Sequence, residues 1–215
     1  KALGFVILSP TIQLTPAGEE LVNSKRQDEI FLRQLLKFQL PSPFHQPTGN
    51  SSEFWVKPYL ELFRLIRHFG SLKFDELKIF GLQLVDYREF DAIVEKINKF
   101  RIAKAQNEGR YKIFRAQCFD RELKEIYSVD IISGKTQTRE TDDTSIARFL
   151  TTKASNMRDY ADACVRYLRA TGLVNISHLG KSMSIVPEKV QDVDYFLQHT
   201  DREPCFIDNE NKYVE

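Results

Sequence analysis

Little in this chain points to chemistry. It holds three cysteines, Cys118, Cys164 and Cys205, widely spaced and with no C-x-x-C pair. That excludes a disulfide framework and the usual zinc spacing, fits a reducing compartment, and makes each thiol a small apolar filler. No apolar run reaches the ~18 residues of a membrane span and no signal peptide is visible, so no membrane partner is expected. The histidines His45, His68, His178 and His199 are scattered, and neither G-x-x-x-x-G-K-[ST] nor G-x-G-x-x-G occurs. No Ser-His-Asp or Cys-His arrangement can be read. E-x-K is spelled twice, in DELK (75–78) and RELKEIY (121–127). Both lie in helix-like stretches without a strand-borne upstream aspartate, whereas a P-D…(D/E)-x-K nuclease centre needs its carboxylates and lysine on adjacent strands. The sequence predicts no catalytic residue, no metal site and no cofactor in this chain.

Charge of one sign is scarce too, with a net of +1, but it is uneven. Residues 187–215 carry eight acidic and three basic side chains, which leaves the preceding chain at +6. The stretch NKFRIAKAQNEGRYKIFRAQ (98–117) holds six basic residues against Glu108. Such a local stripe, here with Arg110, Lys112 and Arg115, is the footprint that counts for phosphate binding, although a solvated helix face looks the same.

What is present is ordinary globular material, 42% apolar and 12% aromatic, enough for real cores. Two segments share a plan. GFVILSPTIQLTPAGEELV (4–22) and GLVNISHLGKSMSIVPEKVQDVDYFL (172–197) each run glycine, strand, turn, strand, then proline heading a helix. Gly172 suits the left-handed position after a helix, Val174, Ile176, Met183 and Ile185 alternate as half-buried strands do, Gly180 offers a positive φ in the turn, and Pro16 and Pro187 suit a first helical turn. Helix, hairpin, helix is the back half of a winged helix, with the hairpin as wing. The unit at 1–24 lacks its preceding helices and the chain begins at Lys1, so a fragment of a longer protein is expected.

Between them, DEIFLRQLLKFQLPS (28–42), FWVKPYLELFRLIRHFG (54–70), LKFDELKIFGLQL (72–84) and YREFDAIVEKINKFRIAK (87–104) read as helices, the third short, with 46–53 as a loop. The expected fold is therefore mainly α with small β-hairpins, in tandem winged-helix or helix-turn-helix-like subdomains. Residues 1–24 would end a truncated winged-helix unit, 25–129 form a helical subdomain, 130–145 a loop or joint, 146–199 a second winged-helix-like subdomain, and 200–215 an acidic linker or the start of a next domain.

On a helical wheel of TTKASNMRDYADACVRYLRATG (151–172), Met157, Tyr160, Ala161, Cys164, Tyr167 and Leu168 share one side. Arg158, Asp162, Arg166 and Arg169 share the other. Preceding the wing, this helix could meet a DNA groove, where arginine gives paired hydrogen bonds to guanine or phosphate. Arg158, Asp162 and Arg166 could equally form a surface ion-pair ladder, so two readings stand. Lys153 and Asn156 at its amino end have no acidic neighbour and are candidates for base edges or phosphate, and Lys181 at the wing tip for phosphate.

LTPAGEELVNSKRQDEIFLRQLLKFQLPS, PYLELFRLIRHFGSLKFDELKIFGL and TTKASNMRDYADACVRYLRATGLV resemble the target-recognition region of AlwI-type restriction endonucleases, which include type IIS enzymes and site-specific nicking enzymes. The resemblance covers most of residues 1–197. It implies winged-helix-like recognition of double-stranded DNA at a short asymmetric site, in a restriction-modification context in the prokaryotic cytoplasm. It also implies a Mg²⁺-dependent P-D…(D/E)-x-K cleavage domain further along the same protein, absent from this chain, and leaves open a second subunit for double-strand cleavage. By position, TTKASNMRDYADACVRYLR takes the DNA-contacting role. A winged-helix protein-interaction module without DNA binding is the alternative.

Overall fold

The computed structural model describes residues 1–8, 10–45, 54–139, 142–177, 179, 181–207 and 209–214. It is mostly helical with two small antiparallel sheets. The first hairpin pairs β1 (Val6–Ile7) with β2 (Gln13–Leu14), and α1 (Pro16–Asn23) follows at once. Pro16 occupies the first turn, and the Thr15 hydroxyl caps it by accepting the Gly18 N–H at 3.1 Å. Gly18 is fixed by a close approach: a Cβ there would lie 2.1 Å from the Phe5 carbonyl oxygen. Gly18→Ala is expected to cost about 1–3 kcal/mol, as overpacking does, and Gly109→Ala, which meets nothing within 4 Å, far less; thermal unfolding of the two variants checks the contrast.

α2 (Gln27–Lys37) and α3 (Pro58–Phe69) follow. α3 is the centre of the molecule, with Leu60, Phe63, Leu65 and Ile66 fully buried. Even its Glu61 is only 1% exposed, and Arg202 neutralises it through two hydrogen bonds of 2.8 Å. Gly70 at φ 69° ends the helix, and β3 (Leu72–Lys73) and α4 (Phe74–Ile79) come next. The stretch expected to be helical from Leu72 thus starts with two residues of strand.

α5 (Phe90–Gln106) and α6 (Tyr111–Ile126) form a hairpin whose inner faces send Ile93, Ile97, Phe100 and Cys118 into the main core, while Leu123 of α6 joins a second, smaller cluster. α7 (Ser128–Ile132) extends helix into the segment expected to be a loop from 130. α8 (Ile146–Ala170) is longer than the sequence suggested, beginning five residues before Thr151, where the Ser145 hydroxyl accepts the Arg148 N–H. Its amino half packs Phe149, Leu150 and Met157 on Leu123 of α6, and its carboxy half puts Ala161 and Leu168 into the main core. Gly172, at φ 67°, turns the chain into β4 (Val174–Ile176) and β5 (Ser182–Ile185), the hairpin expected there.

β5 lies between β4 and β3, so the three-stranded sheet has the order β3-β5-β4. In register, Leu72 faces Met183 and Val174 faces Ile185, all four buried, while Asn175 opposite Ser184 points outward, the period-two pattern of a one-sided sheet. His178 and Gly180 of the turn lie outside the described residues, as does the 46–53 loop; Leu179 between the turn residues has φ 77°. After α9 (Val190–His199), residues 200–207 run back along α2 and α3 to α10 (Glu210–Val214). The Cys205 N–H donates to Gln39 Oε1 at 3.1 Å, the Lys57 ammonium to the Asp201 carbonyl at 2.8 Å, and Tyr213 meets Phe44 edge-on.

Two thiols are core fillers as expected, but Cys205 is exposed. Burial pushes the Cys164 thiol up to about 12 and raises Cys118 as well. A thiol-specific disulfide reagent is therefore expected to modify Cys205 in the native protein and to reach Cys118 and Cys164 only on unfolding, which a time course with and without denaturant measures.

Candidate nucleic-acid interface

α8 carries an outward stripe of Arg148, Thr151, Ser155, Arg158, Asp159, Asp162, Arg166 and Arg169, all exposed and recurring at helical spacing. Four arginines against two aspartates leave it net positive. The ladder, one of the two readings of Arg158, Asp162 and Arg166, does not form: among the described residues no carboxylate lies within 4.0 Å of Arg158, Arg166 or Arg169. Side chains four apart on a solvated helix gain only a few tenths of a kcal/mol by pairing, too little to fix them. Tyr160, read as inward, is 66% exposed.

Lys153 and Asn156 sit elsewhere. Both are half-buried, off the stripe, and the Lys153 ammonium lies 5.0 and 5.2 Å from the ring centres of Tyr127 and Phe149. With α8 beginning at Ile146, they fall in its second and third turns, on the side toward α6 and α7, and not at an open helix end.

The basic stretch 98–117 is divided by the structure. Arg110, in the turn Glu108–Arg110, and Lys112 are exposed at the tip of the α5–α6 hairpin. Arg115 is half-buried and paired with Asp75 of α4 at 3.3 Å, and the Tyr111 hydroxyl donates to the same carboxylate at 2.8 Å. Arg101 is taken up by the buried Glu76 and the Ser71 carbonyl.

Lys78 of α4 joins the two basic stripes, and sequence reasoning missed it. Its ammonium stands 4.2 Å from the centre of the Phe119 ring, and burial lowers its pKa; the Arg115 and Arg158 charges push the same way, while Asp75 opposes them. The signal was in DELK, weighed only as a nuclease spelling. Lys181 is exposed beside β5, and its carbonyl accepts the Phe74 N–H at 3.0 Å, which lengthens the β3–β5 ladder by one bond.

Among the described residues no group of three or more His, Cys, Asp or Glu is placed to hold a metal ion. No described helix is long and apolar enough to cross a membrane. A cleft of about 600 Å³ between α2, α9 and the carboxy-terminal segment, lined by Leu32, Leu36, Phe196, Ile207 and Tyr213, shares no residue with the α8 stripe.

The sequence matches the family described as AlwI restriction endonuclease over residues 1–215. No curated protein matches it. Among solved structures, the BpuJ1 endonuclease binding domain, crystallised in complex with pyrene- and phenanthrene-modified DNA, superposes with a TM-score of 0.56 at 14% identity. The match covers 99% of this chain and 66% of that one, so this chain spans just under two thirds of its neighbour's length; at that identity the likeness is one of fold.

Proposed function

The chain belongs to the AlwI restriction endonuclease family, and from that premise we propose that it is the sequence-specific, double-stranded-DNA recognition region of a type IIS enzyme. In this reading the order β3-β5-β4, with α3 before β3, α4 after it and α8 leading into the hairpin, is a winged helix interrupted by α5–α7. α8 takes the place of the recognition helix and the β4–β5 hairpin that of the wing. Arg158, Arg166 and Arg169 would face the major groove, and Lys181 the backbone beside it. The observation that carries the reading is the α8 stripe itself, whose exposed Arg158, Arg166 and Arg169 have no carboxylate within ion-pair distance among the described residues and stand next to a wing. The neighbouring binding domain's complex with DNA supports the same partner. Hydrolysis belongs, in this proposal, to a Mg²⁺-dependent cleavage domain in cis, with a second subunit for cutting both strands.

Selection of bound duplexes from a random pool, at moderate salt, tests the proposal. Enrichment of one short asymmetric motif is the expected result, with affinity falling steeply as salt rises. Recovery of no duplex above background would sink it and favour the interaction-module reading, for which the exposed Leu8, Ile12 and Leu14 of the first hairpin are the surface to examine.

A further inference from the structure

α4, α6 and α8 pack on one another, and each sends one cation to the place where they meet: Lys78, Arg115 and Arg158. Among the described residues the carboxylate that acts on Lys78, Asp75, is already engaged by the Tyr111 hydroxyl at 2.8 Å and by Arg115 at 3.3 Å. Lys78 has no carboxylate within ion-pair distance among the described residues, and its ammonium is held 4.2 Å over the Phe119 ring. Lys78, Arg115 and Arg158 share that one engaged carboxylate, so the cluster keeps an excess of positive charge among the described residues. A structural ion-pair network would pair each cation, and here neither Lys78 nor Arg158 has a carboxylate within ion-pair distance among the described residues. Its members are also pre-set: Asp75 fixes Arg115, Phe119 fixes Lys78, and Arg158 belongs to the outward stripe of α8, so the open side of the cluster borders that stripe.

The geometry points to a phosphate cradle: Lys78, Arg115 and Arg158 grip the DNA backbone at the edge of the groove that the α8 stripe confronts. This rests on the reading of the chain as a duplex-recognition module. Its chemistry is that of a positioning contact, with guanidinium forks and an ammonium on phosphodiester oxygens, and it carries no base information. It gives the α5–α7 interruption a task, since Arg115 reaches the cluster only because α6 lies against α4.

Lys78→Met tests it, because methionine keeps an unbranched stem over Phe119 and removes only the charge. The variant is expected to bind the selected duplex and an unrelated duplex alike roughly tenfold more weakly, with the slope of log affinity against log salt reduced by about one and the selected motif unchanged. Lys78→Arg is expected to restore binding. Unchanged affinity and slope in a Lys78→Met protein whose parent binds duplexes would overturn the cradle alone, and a changed motif would overturn it in favour of base reading. A thermal shift given by inorganic phosphate that Lys78→Met abolishes, with duplex binding intact, would reassign the cluster to a free anion. A parent chain that binds no duplex would remove the recognition reading and this inference with it.

Discussion

Changing Arg166 and Arg169 together to glutamine is expected to weaken binding of the selected duplex roughly a hundredfold. Each paired arginine–guanine contact is worth about 1–3 kcal/mol, and 1.4 kcal/mol is a factor of ten. Both side chains are exposed on the α8 stripe and have no ion-pair partner to lose among the described residues, so the fold should be untouched and an unrelated duplex should lose far less than the selected one. The same face makes a prediction of opposite sign. Asp162 lies between the arginines and would meet the negative field of the duplex, so Asp162→Asn is expected to raise affinity several-fold. A titration of the three proteins on both duplexes decides the matter. A double variant within about twofold of the parent on the selected duplex would mean that this face does not meet DNA.

Arg202→Ala is expected to destabilise the fold by about 3–5 kcal/mol, the usual cost of leaving a buried charge without its partner. Glu61 lies within α3 at 1% exposure, and Arg202 donates two hydrogen bonds to its carboxylate while also donating to the Tyr87 carbonyl at 2.8 Å. The guanidinium stands 5.4 Å from the ring centres of Tyr87 and Phe90, so its loss also removes packing. Adding Glu61→Leu to Arg202→Ala should recover a large part of the loss, since the pair's main cost is the uncompensated carboxylate. Urea unfolding midpoints of the two proteins measure this. A loss under about 1 kcal/mol in the single variant would mean that residues 200–207 are an appendage to the fold.

The longer helices were legible because their apolar positions recur at helical spacing, and the β4–β5 hairpin because Gly172 and Pro187 punctuate it on both sides, whereas the five residues of α7 are too few to show a period. β3 was not legible. Two residues carry no periodicity, and their pairing partner lies over a hundred residues later in the chain. The end of the chain was read from its acidity, which says nothing of Arg202 reaching back to Glu61. At the candidate interface, Arg158, Arg166 and Arg169 of α8 followed from the wheel, and Arg148, ahead of the stretch placed on it, did not. Lys153 and Asn156 were read at an open helix end because Phe149 and Leu150, an apolar pair that anchors the amino half of α8, were left outside the helix. Lys78 and Arg115 are distant in sequence, and only the packing of α4 against α6 makes them neighbours.

That sheet has a consequence for how the protein is made. β3 leaves the ribosome well before β5 exists, and at ordinary synthesis rates the wait is on the order of 10 s. Through that interval Leu72, fully buried in the finished sheet, has no strand to cover it, and α5, α6 and α7 are produced meanwhile. Closing the sheet joins chain ends held far apart in sequence, a kind of contact that slows folding. A chain interrupted after Lys73 and before Ser182 would present an open strand edge, the surface on which unfinished proteins aggregate.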